Sequence, residues 1–295
     1  MRVLIAGSSG FIGSALAPAL RHGGHEVLRL VRRAPVGTDE RGWDPPAGRI
    51  DSGALDGVHA VINLCGRPLA PARWSAAHKQ LIRDSRLEPT EVLAAAVAER
   101  GVPLLINASG AGFYGDTGET VVDESSGQGT GFLAELCRDW EAMTHPASDA
   151  GARVVRLRTG PVLAREGGLL GVLRVAFKAV LGARFGDGRQ YLPWIHLDDL
   201  VAAIRFALED DQLTGPVNLC APNPARNAEF TRELGRALGR PTPWVAPAFV
   251  LRGLLGQQAE EMLVFGQRAK PAALLRREFP FRYPELPDAL AAACA

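Results

Sequence analysis

The chain has 295 residues, 47% of them hydrophobic, with a formal net charge of +1. That apolar content can bury a full core and suggests one large α/β domain, alone or with a small appended lobe. The balanced charge disfavours a nucleic-acid or acidic-membrane partner, and no apolar run approaches the roughly 20 residues of a membrane helix.

Arg2 to Ala6 reads as a strand, entered so early that no room is expected for a signal peptide. Gly7-Ser8-Ser9-Gly10-Phe11-Ile12-Gly13 follows and runs directly into a helix over Phe11 to His22. Strand, glycine turn and helix in that order suit a dinucleotide. Gly7 permits the tight turn, Gly10 lets the backbone approach a pyrophosphate, and Gly13 lets the helix pack closely. Phe11 and Ile12 open the helix, whose N-terminus attracts negative charge. Gly23-Gly24 ends it, and Glu26 to Val31 reads as the second strand. Pro35 to Gly53 is rich in Pro and Gly and is expected to be loop. His59 to Leu64 is a buried strand ending in Cys65-Gly66. A helical region runs from about Ser75 to Arg100, interrupted near Pro89. Pro103 to Ala108 is a strand, Phe132 to Met143 a helix, and Arg153 to Leu157 another strand.

This alternation implies an α/β fold, a Rossmann-type doubly wound parallel sheet, with a smaller C-terminal substrate lobe. A division at 1–240 and 241–295 is expected, with substrate-lobe segments from about 163. Leu192 to His196 and Pro216 to Leu219 are the later strand candidates, and the last stretch reads as mostly helical. Ligands of such sheets bind at the carboxyl ends of the strands. The residues to watch therefore follow Ala6, Val31, Leu64, Ala108 and Arg158.

An NAD enzyme usually carries Asp or Glu at the end of the second strand, for the ribose hydroxyls. Here that strand ends in Leu30-Val31-Arg32-Arg33. A guanidinium pairs with a 2′-phosphate where a carboxylate would repel it, so NADP(H) is the expected cofactor, with either Arg32 or Arg33 as the partner. Cys65, Cys137, Cys220 and Cys294 lie far apart and read as reduced thiols of a cytoplasmic protein. The six His show no ligand spacing, so no metal is expected.

Several segments together resemble the extended short-chain dehydrogenase/reductase family, the NAD(P)-dependent epimerase and dehydratase group. They are the glycine turn, Asn63 to Gly66, Ser109 to Gly115, Gly186 to Gln190, and Trp194 to Leu200. Asn63 to Leu69, Arg73-Trp74, Arg83 to Arg86, Phe132-Leu133, Trp140-Glu141 and Arg158 to Gly160 resemble an atypical epimerase-like subgroup with a small C-terminal domain. The resemblance implies an epimerase-like oxidoreductase, with hydride transfer on a hydroxyl or carbonyl substrate and a sugar nucleotide as the family's usual choice. It implies that Leu64, Cys65 and Gly66 lie along the cofactor, and that Pro161 and Val162 lie near the nicotinamide. Both stretches could equally be ordinary βα-loop structure.

The family normally works with Ser and Tyr-x-x-x-Lys, in which Tyr moves the proton and Lys lowers its pKa. None of Tyr114, Tyr191 and Tyr283 has Lys four residues later. By resemblance the Tyr falls on Leu133 and the Lys on Cys137, and neither can do that work. Ser109 keeps the family's Ser position. Tyr114 is the best remaining acid/base, or else a structural turn residue. Lys79 could replace the cation, although a helix surface explains it as well. Arg189 could meet a phosphate or carboxylate, and Gln190 could donate to a substrate oxygen. Trp194, Arg73 and Trp74 would add stacking and charge if they face the pocket. His196 reads as structural, ahead of Asp198-Asp199 as an N-cap pair for a helix over Leu200 to Leu208. The partner is a small-molecule substrate. The long helices hold enough apolar residues for a core or a homodimer interface. The missing dyad supports an alternative, a non-catalytic NADP(H)-binding redox-reporting or scaffold protein.

Overall fold

A computed structural model describes residues 1–70 and 73–295. In chain order the first elements are β1 (Arg2–Ala6), α1 (Phe11–His22), β2 (Glu26–Val31), β3 (Glu40–Asp44), β4 (Arg49–Ile50), β5 (Ala60–Asn63), α2 (Ala76–Arg100) and β6 (Leu104–Gly110). There follow β7 (Val121–Val122), α3 (Phe132–Ala142), α4 (His145–Asp149), β8 (Arg153–Thr159), β9 (Val162–Leu163), α5 (Gly168–Lys178), β10 (Ala183–Phe185), β11 (Tyr191–Leu192) and β12 (Ile195–His196). Then come α6 (Leu197–Glu209), β13 (Gly215–Leu219), β14 (Ala225–Arg226), α7 (Asn227–Ala237), β15 (Trp244–Ala246) and α8 (Ala248–Leu255), with a last helix at Leu286–Cys294.

The chain divides into two compact units. The first comprises Met1–Ser109, Leu136–Leu157 and Ile204–Pro216. The second comprises Gly110–Glu135, Arg158–Ala203 and Val217–Ala295. The first unit is built on a sheet of order β13-β8-β6-β5-β1-β2-β3-β4. Strand β1 pairs in parallel with β2 on one side and β5 on the other. The strand order therefore reverses at β1, and that is where a crevice opens for a ligand in doubly wound sheets. Leu4, Leu28, Val61 and Leu105 of the sheet pack with Leu93, Ala94 and Val97 of α2 in one core.

Two expectations need correction in this unit. The Pro- and Gly-rich stretch from 35 to 53 is not all loop. Its Glu40–Asp44 segment pairs in parallel with β2, Arg29 opposite Glu40, and then turns to pair antiparallel with β4. Burial of Trp43 in the core and ion pairing of Arg29 with Asp39 hold that strand in spite of its composition. Helix α2 is also unbroken through Pro89. Proline removes one backbone donor, but burial of Ile82, Pro89, Leu93 and Val97 carries the helix across the defect. The Ser75 side chain caps its start by accepting from the His78 N–H at 3.2 Å. Gly101, at φ +62°, ends it in the left-handed region.

The second unit has its own core, in which Leu163, Leu170, Phe177, Trp194, Phe230 and Leu290 are buried together. The expected strand over 192–196 is two short ones, β11 and β12, pairing with β14 and β9. The helix expected at Leu200 begins at Leu197, and Asp198 and Asp199 lie in its first turn. The His196 ring takes the capping role, its Nδ1 accepting from the Asp198 N–H at 3.1 Å. Asp199 instead accepts from the Arg282 and Tyr283 N–H groups at 2.8 and 2.9 Å, tying the C-terminal stretch to α6.

Candidate functional site

At the β1 switch point the first unit holds a cleft of about 1680 Å³, open solvent at its mouth included. Its walls are the Gly7 to Gly10 turn, the ends of β2 and β3, the Leu64 to Pro68 loop and one side of α2. Gly7 has φ +79°, and a Cβ there would stand 2.9 Å from the Leu64 carbonyl. The two loops are thus pressed together at a point where only glycine fits. A Cβ on Gly13 would meet the Gly7 oxygen at 2.3 Å, so Gly13 sets how closely α1 approaches the turn. Gly10 caps α1 with no side-chain bond, which leaves the helix N-terminal donors facing the glycine turn. This is a cradle that the phosphates of a dinucleotide fit. Phe11 and Ile12 begin α1 and do not line the cleft.

The arginines at the end of β2 differ in what they have left to offer. Arg33 grips Glu40 with two bonds, of 2.6 and 2.8 Å. Arg29 bonds Asp39 at 2.9 and 3.1 Å and also meets Glu40 at 3.1 Å. The Arg33 guanidinium foremost, and then the Val36 N–H, hold the Glu40 carboxyl well down, at about 2. Arg32 is exposed on the cleft wall, and among the described residues its guanidinium has no hydrogen-bond or ion-pair partner. Its charge is felt by the Cys65 thiol, although burial dominates there and pushes that thiol up to about 12.

A buried polar network, visible in the sequence only as polar residues inside apolar runs, shapes the Leu64 to Gly66 loop. Asn63 Nδ2 donates to Asn107 Oδ1 at 2.8 Å and to Thr90 Oγ1 at 2.9 Å. Trp140 Nε1 donates to the same Thr90 oxygen at 2.9 Å. The other end of the Asn63 amide accepts the Cys65 N–H at 3.1 Å, which fixes the loop backbone at the cleft. Arg86, part of the Arg83 to Arg86 match but given no site role from sequence, is buried beneath this loop. Its guanidinium donates to the Arg67 carbonyl at 2.9 Å and to the Ile82 carbonyl at 3.0 Å, 5.2 Å over the Trp140 ring. Burial pulls Arg86 down to about 10, and the guanidinium lies within electrostatic reach of Cys137, the position where the resemblance puts Lys. Lys79 is half-buried in the first turn of α2. Arg73 is exposed, whereas Trp74 is buried and donates to the Leu69 carbonyl.

Ser109, near the end of β6, is buried, and its Oγ donates to Glu141 Oε1 at 2.7 Å. Tyr114 lies in the second unit and is only 3% exposed. Its hydroxyl donates to Asn218 Oδ1 at 2.7 Å and accepts from Arg158 Nη1 at 3.0 Å. Burial pushes that phenol up to about 12 against the opposing effect of Arg158. Both bonding directions of the hydroxyl are therefore used within the protein.

The second unit also contains a cavity of about 620 Å³, open solvent at its mouth included, with Pro161 on one wall. Val162 does not line it and pairs with Ile195 in β9 and β12. Gln190 donates to the Phe185 and Leu263 carbonyls at 3.1 and 2.7 Å, so both of its amide protons are engaged. Arg189 is exposed and faces Glu119 at 3.6 Å. Trp194 is a core residue, its Nε1 donating to the Asn223 carbonyl. Among the described residues no His, Cys, Asp and Glu cluster could hold a metal, and no helix is long and apolar enough to cross a membrane.

Comparison with known proteins adds relatives along the whole chain. The profile of the NAD dependent epimerase/dehydratase family matches residues 3–220, and that of a domain of unknown function, DUF1731, matches residues 246–293. An epimerase family protein of Mycobacterium leprae (strain TN) is 54% identical over 288 residues, 98% of this chain and 94% of that protein. The crystal structure of human epimerase family protein SDR39U1 (isoform2) with NADPH is similar at a TM-score of 0.92 and 34% identity, covering 100% of this chain and 99% of that one. A nucleoside-diphosphate sugar epimerase from Corynebacterium glutamicum matches at a TM-score of 0.83 and 40% identity, over 100% of this chain and 58% of that one.

Proposed function

The chain belongs to the NAD dependent epimerase/dehydratase family, and from that premise we propose that it binds NADP(H) in the β1 cleft and acts on a hydroxyl or carbonyl substrate. The observation that carries the cofactor choice is Arg32, a guanidinium on the cleft wall with no partner among the described residues, beside an Arg33 already bound to Glu40. The human relative crystallised with NADPH supports the same choice. In this reading the Gly7 to Gly10 turn and the start of α1 hold the pyrophosphate, and Arg32 pairs with the 2′-phosphate. The Leu64 to Gly66 backbone lies along the dinucleotide. Bound there, the cofactor supplies or takes up a hydride at the carbinol or carbonyl carbon.

Proton transfer is assigned to Ser109 and Glu141. In oxidation, Ser109 Oγ accepts the proton of the substrate hydroxyl and passes its own along the 2.7 Å bond to the Glu141 carboxylate. In reduction both protons move the opposite way. Arg86 acts as a positioning residue that holds the loop at Arg67 and contributes positive charge near Cys137. Tyr114 is assigned to structure, because its hydroxyl already bridges Arg158 and Asn218.

Calorimetric titration of cofactor-stripped protein with NADPH and NADH tests the cofactor reading, and tighter binding of NADPH is expected. Equal or tighter binding of NADH overturns it. Glu141→Gln and Ser109→Ala test the relay. Each is expected to lower kcat about 100-fold or more with the NADPH affinity unchanged. A protein that binds NADPH, and whose turnover ignores both substitutions, removes the pair from the mechanism.

A further inference from the structure

The cavity of the second unit has a wall chemistry at odds with a nucleotide. Leu169, Leu173 and Phe177 of α5, Phe185 of β10, Phe230 of α7 and Phe265 contribute its apolar surface. No lysine or arginine is among the described residues that line it, and its one charged lining residue is the anion Glu261. The Glu261, Asn227 and Gln267 side chains of the wall are engaged within the protein. Glu261 accepts from the Phe132 and Leu133 N–H groups at 2.8 and 2.7 Å. Asn227 Oδ1 accepts the Phe185 N–H at 2.8 Å, and Gln267 Nε2 donates to the Gly115 carbonyl at 2.7 Å. A diphosphate entering here would meet a carboxylate and find no cation, a combination that desolvation makes prohibitive.

The apolar wall is held in place by an unusual piece of backbone. Val180, just after α5, has φ +59°, a conformation that a β-branched residue adopts only under constraint. Its carbonyl accepts the Trp244 indole N–H at 2.8 Å, and the Leu181 N–H closes back on the Ala176 carbonyl at 2.8 Å. Two residues on, Gly182 has no room for a Cβ, which would stand 2.8 Å from the Phe177 ring. The Val180 N–H also donates to the carbonyl of Phe177, a wall residue, at 2.9 Å. On the outer side of the same helix, Val172 and Val175 are exposed, so the apolar character of α5 extends to the surface.

We propose that this cavity takes the apolar body of the substrate, an aliphatic or alicyclic alcohol or carbonyl compound, rather than a nucleoside diphosphate. The inference rests on the reading of the chain as a dinucleotide-dependent enzyme of carbinol and carbonyl carbons. It places the substrate's hydrocarbon against Leu173, Phe177 and Phe265.

The test is calorimetric titration of the protein, with and without NADPH, using the straight-chain alcohols from butan-1-ol to decan-1-ol and using UDP-glucose. Affinity is expected to rise about threefold to fourfold for each added methylene until the cavity is filled. Leu173→Lys is expected to abolish that dependence and to leave the NADPH affinity unchanged. Met262→Lys, on a half-exposed lining residue, carries the same expectation should the first variant fail to fold. Affinity that is flat with chain length overturns the inference. So does a chain-length dependence that survives both substitutions, or UDP-glucose binding that Leu173→Lys removes. Chain-length-dependent binding in a protein that fails to bind NADPH leaves this inference standing and refutes the cofactor reading. NADPH binding with no such dependence does the reverse.

Discussion

Arg32→Ala and Arg33→Ala are adjacent substitutions with opposite expected outcomes. Arg33 ends in a two-pronged contact with Glu40, at 2.6 and 2.8 Å, so at the distance of a ribose phosphate the two charges largely cancel. Arg32 faces the cleft without such a partner among the described residues. A charge-assisted bond from a guanidinium to phosphate contributes about 1.5–3 kcal/mol net, which is about 10- to 150-fold in affinity. Arg32→Ala should therefore weaken NADPH by about that factor and leave NADH, which lacks the 2′-phosphate, within about twofold of wild type. Arg33→Ala should change the NADPH affinity by less than about threefold. It should lower Tm instead, since Glu40 then keeps Arg29 at 3.1 Å and the Val36 N–H but loses its bidentate partner. The assay is calorimetric titration of each variant with both dinucleotides, repeated at high salt, where an exposed guanidinium–phosphate contact should weaken. If Arg33→Ala collapses the preference for NADPH and Arg32→Ala does not, the reasoning from ion-pair occupancy is wrong.

Three further substitutions probe the framework around the site. Gly13→Ala forces a methyl group against the Gly7 oxygen, where a Cβ would stand at 2.3 Å, so both Tm and NADPH affinity should fall, the latter by about tenfold or more. Scanning calorimetry and titration check this, and a variant with wild-type values on both would mean that the turn has slack. Tyr114→Phe takes a bond from both Asn218 and Arg158, so it should cost about 1–3 kcal/mol of stability and leave NADPH affinity unchanged. A wild-type Tm together with abolished turnover would instead make Tyr114 catalytic. Burial foremost lowers the pKa of His196, against the raising influence of Asp198 and Asp199 and with Arg282 adding to the lowering. Its folded pKa thus lies below that of the unfolded chain, and the fold favours the neutral ring whose Nδ1 caps α6. Stability from His196 is present above about pH 6.5 and is lost as pH falls through the folded pKa. Tm should therefore drop more steeply between about pH 7 and pH 5 in wild type than in His196→Asn, and parallel curves would refute the assignment.

What could be read from the sequence was local, and what could not was pairwise. The bounds of β1, α1 and β2 follow from apolar runs and from glycines at 7, 10, 13, 23 and 24, whose effects act within a few residues. Strand β3 was hidden because its reason for existing is a register, Arg29 beside Glu40, and not its own composition. Pro89 signalled a break that α2 does not make, because burial of its neighbours outweighs one lost donor. The Asn63, Thr90 and Asn107 network joins residues 27 and 44 positions apart, and Ser109 meets Glu141 across 32. Their only trace in the sequence was a polar residue standing among apolar ones.

The same distinction governs the site. Residue type states what a side chain can do, and folding decides how much of that capacity remains for a ligand. Arg32 and Arg33 are chemically identical, yet one is committed to Glu40 and the other is not. Tyr114 and Gln190 carry suitable groups, but the Tyr114 hydroxyl is held on both sides and the Gln190 amide protons are both engaged within the protein. Ser109 differs from both, because its bond to Glu141 occupies its proton and leaves an oxygen lone pair able to accept another. A hydroxyl that donates to a carboxylate can hand on its proton, and one held between a buried amide and a guanidinium is a tie. That difference, and not proximity to a motif, is why the proton path is assigned through Ser109 and not through Tyr114.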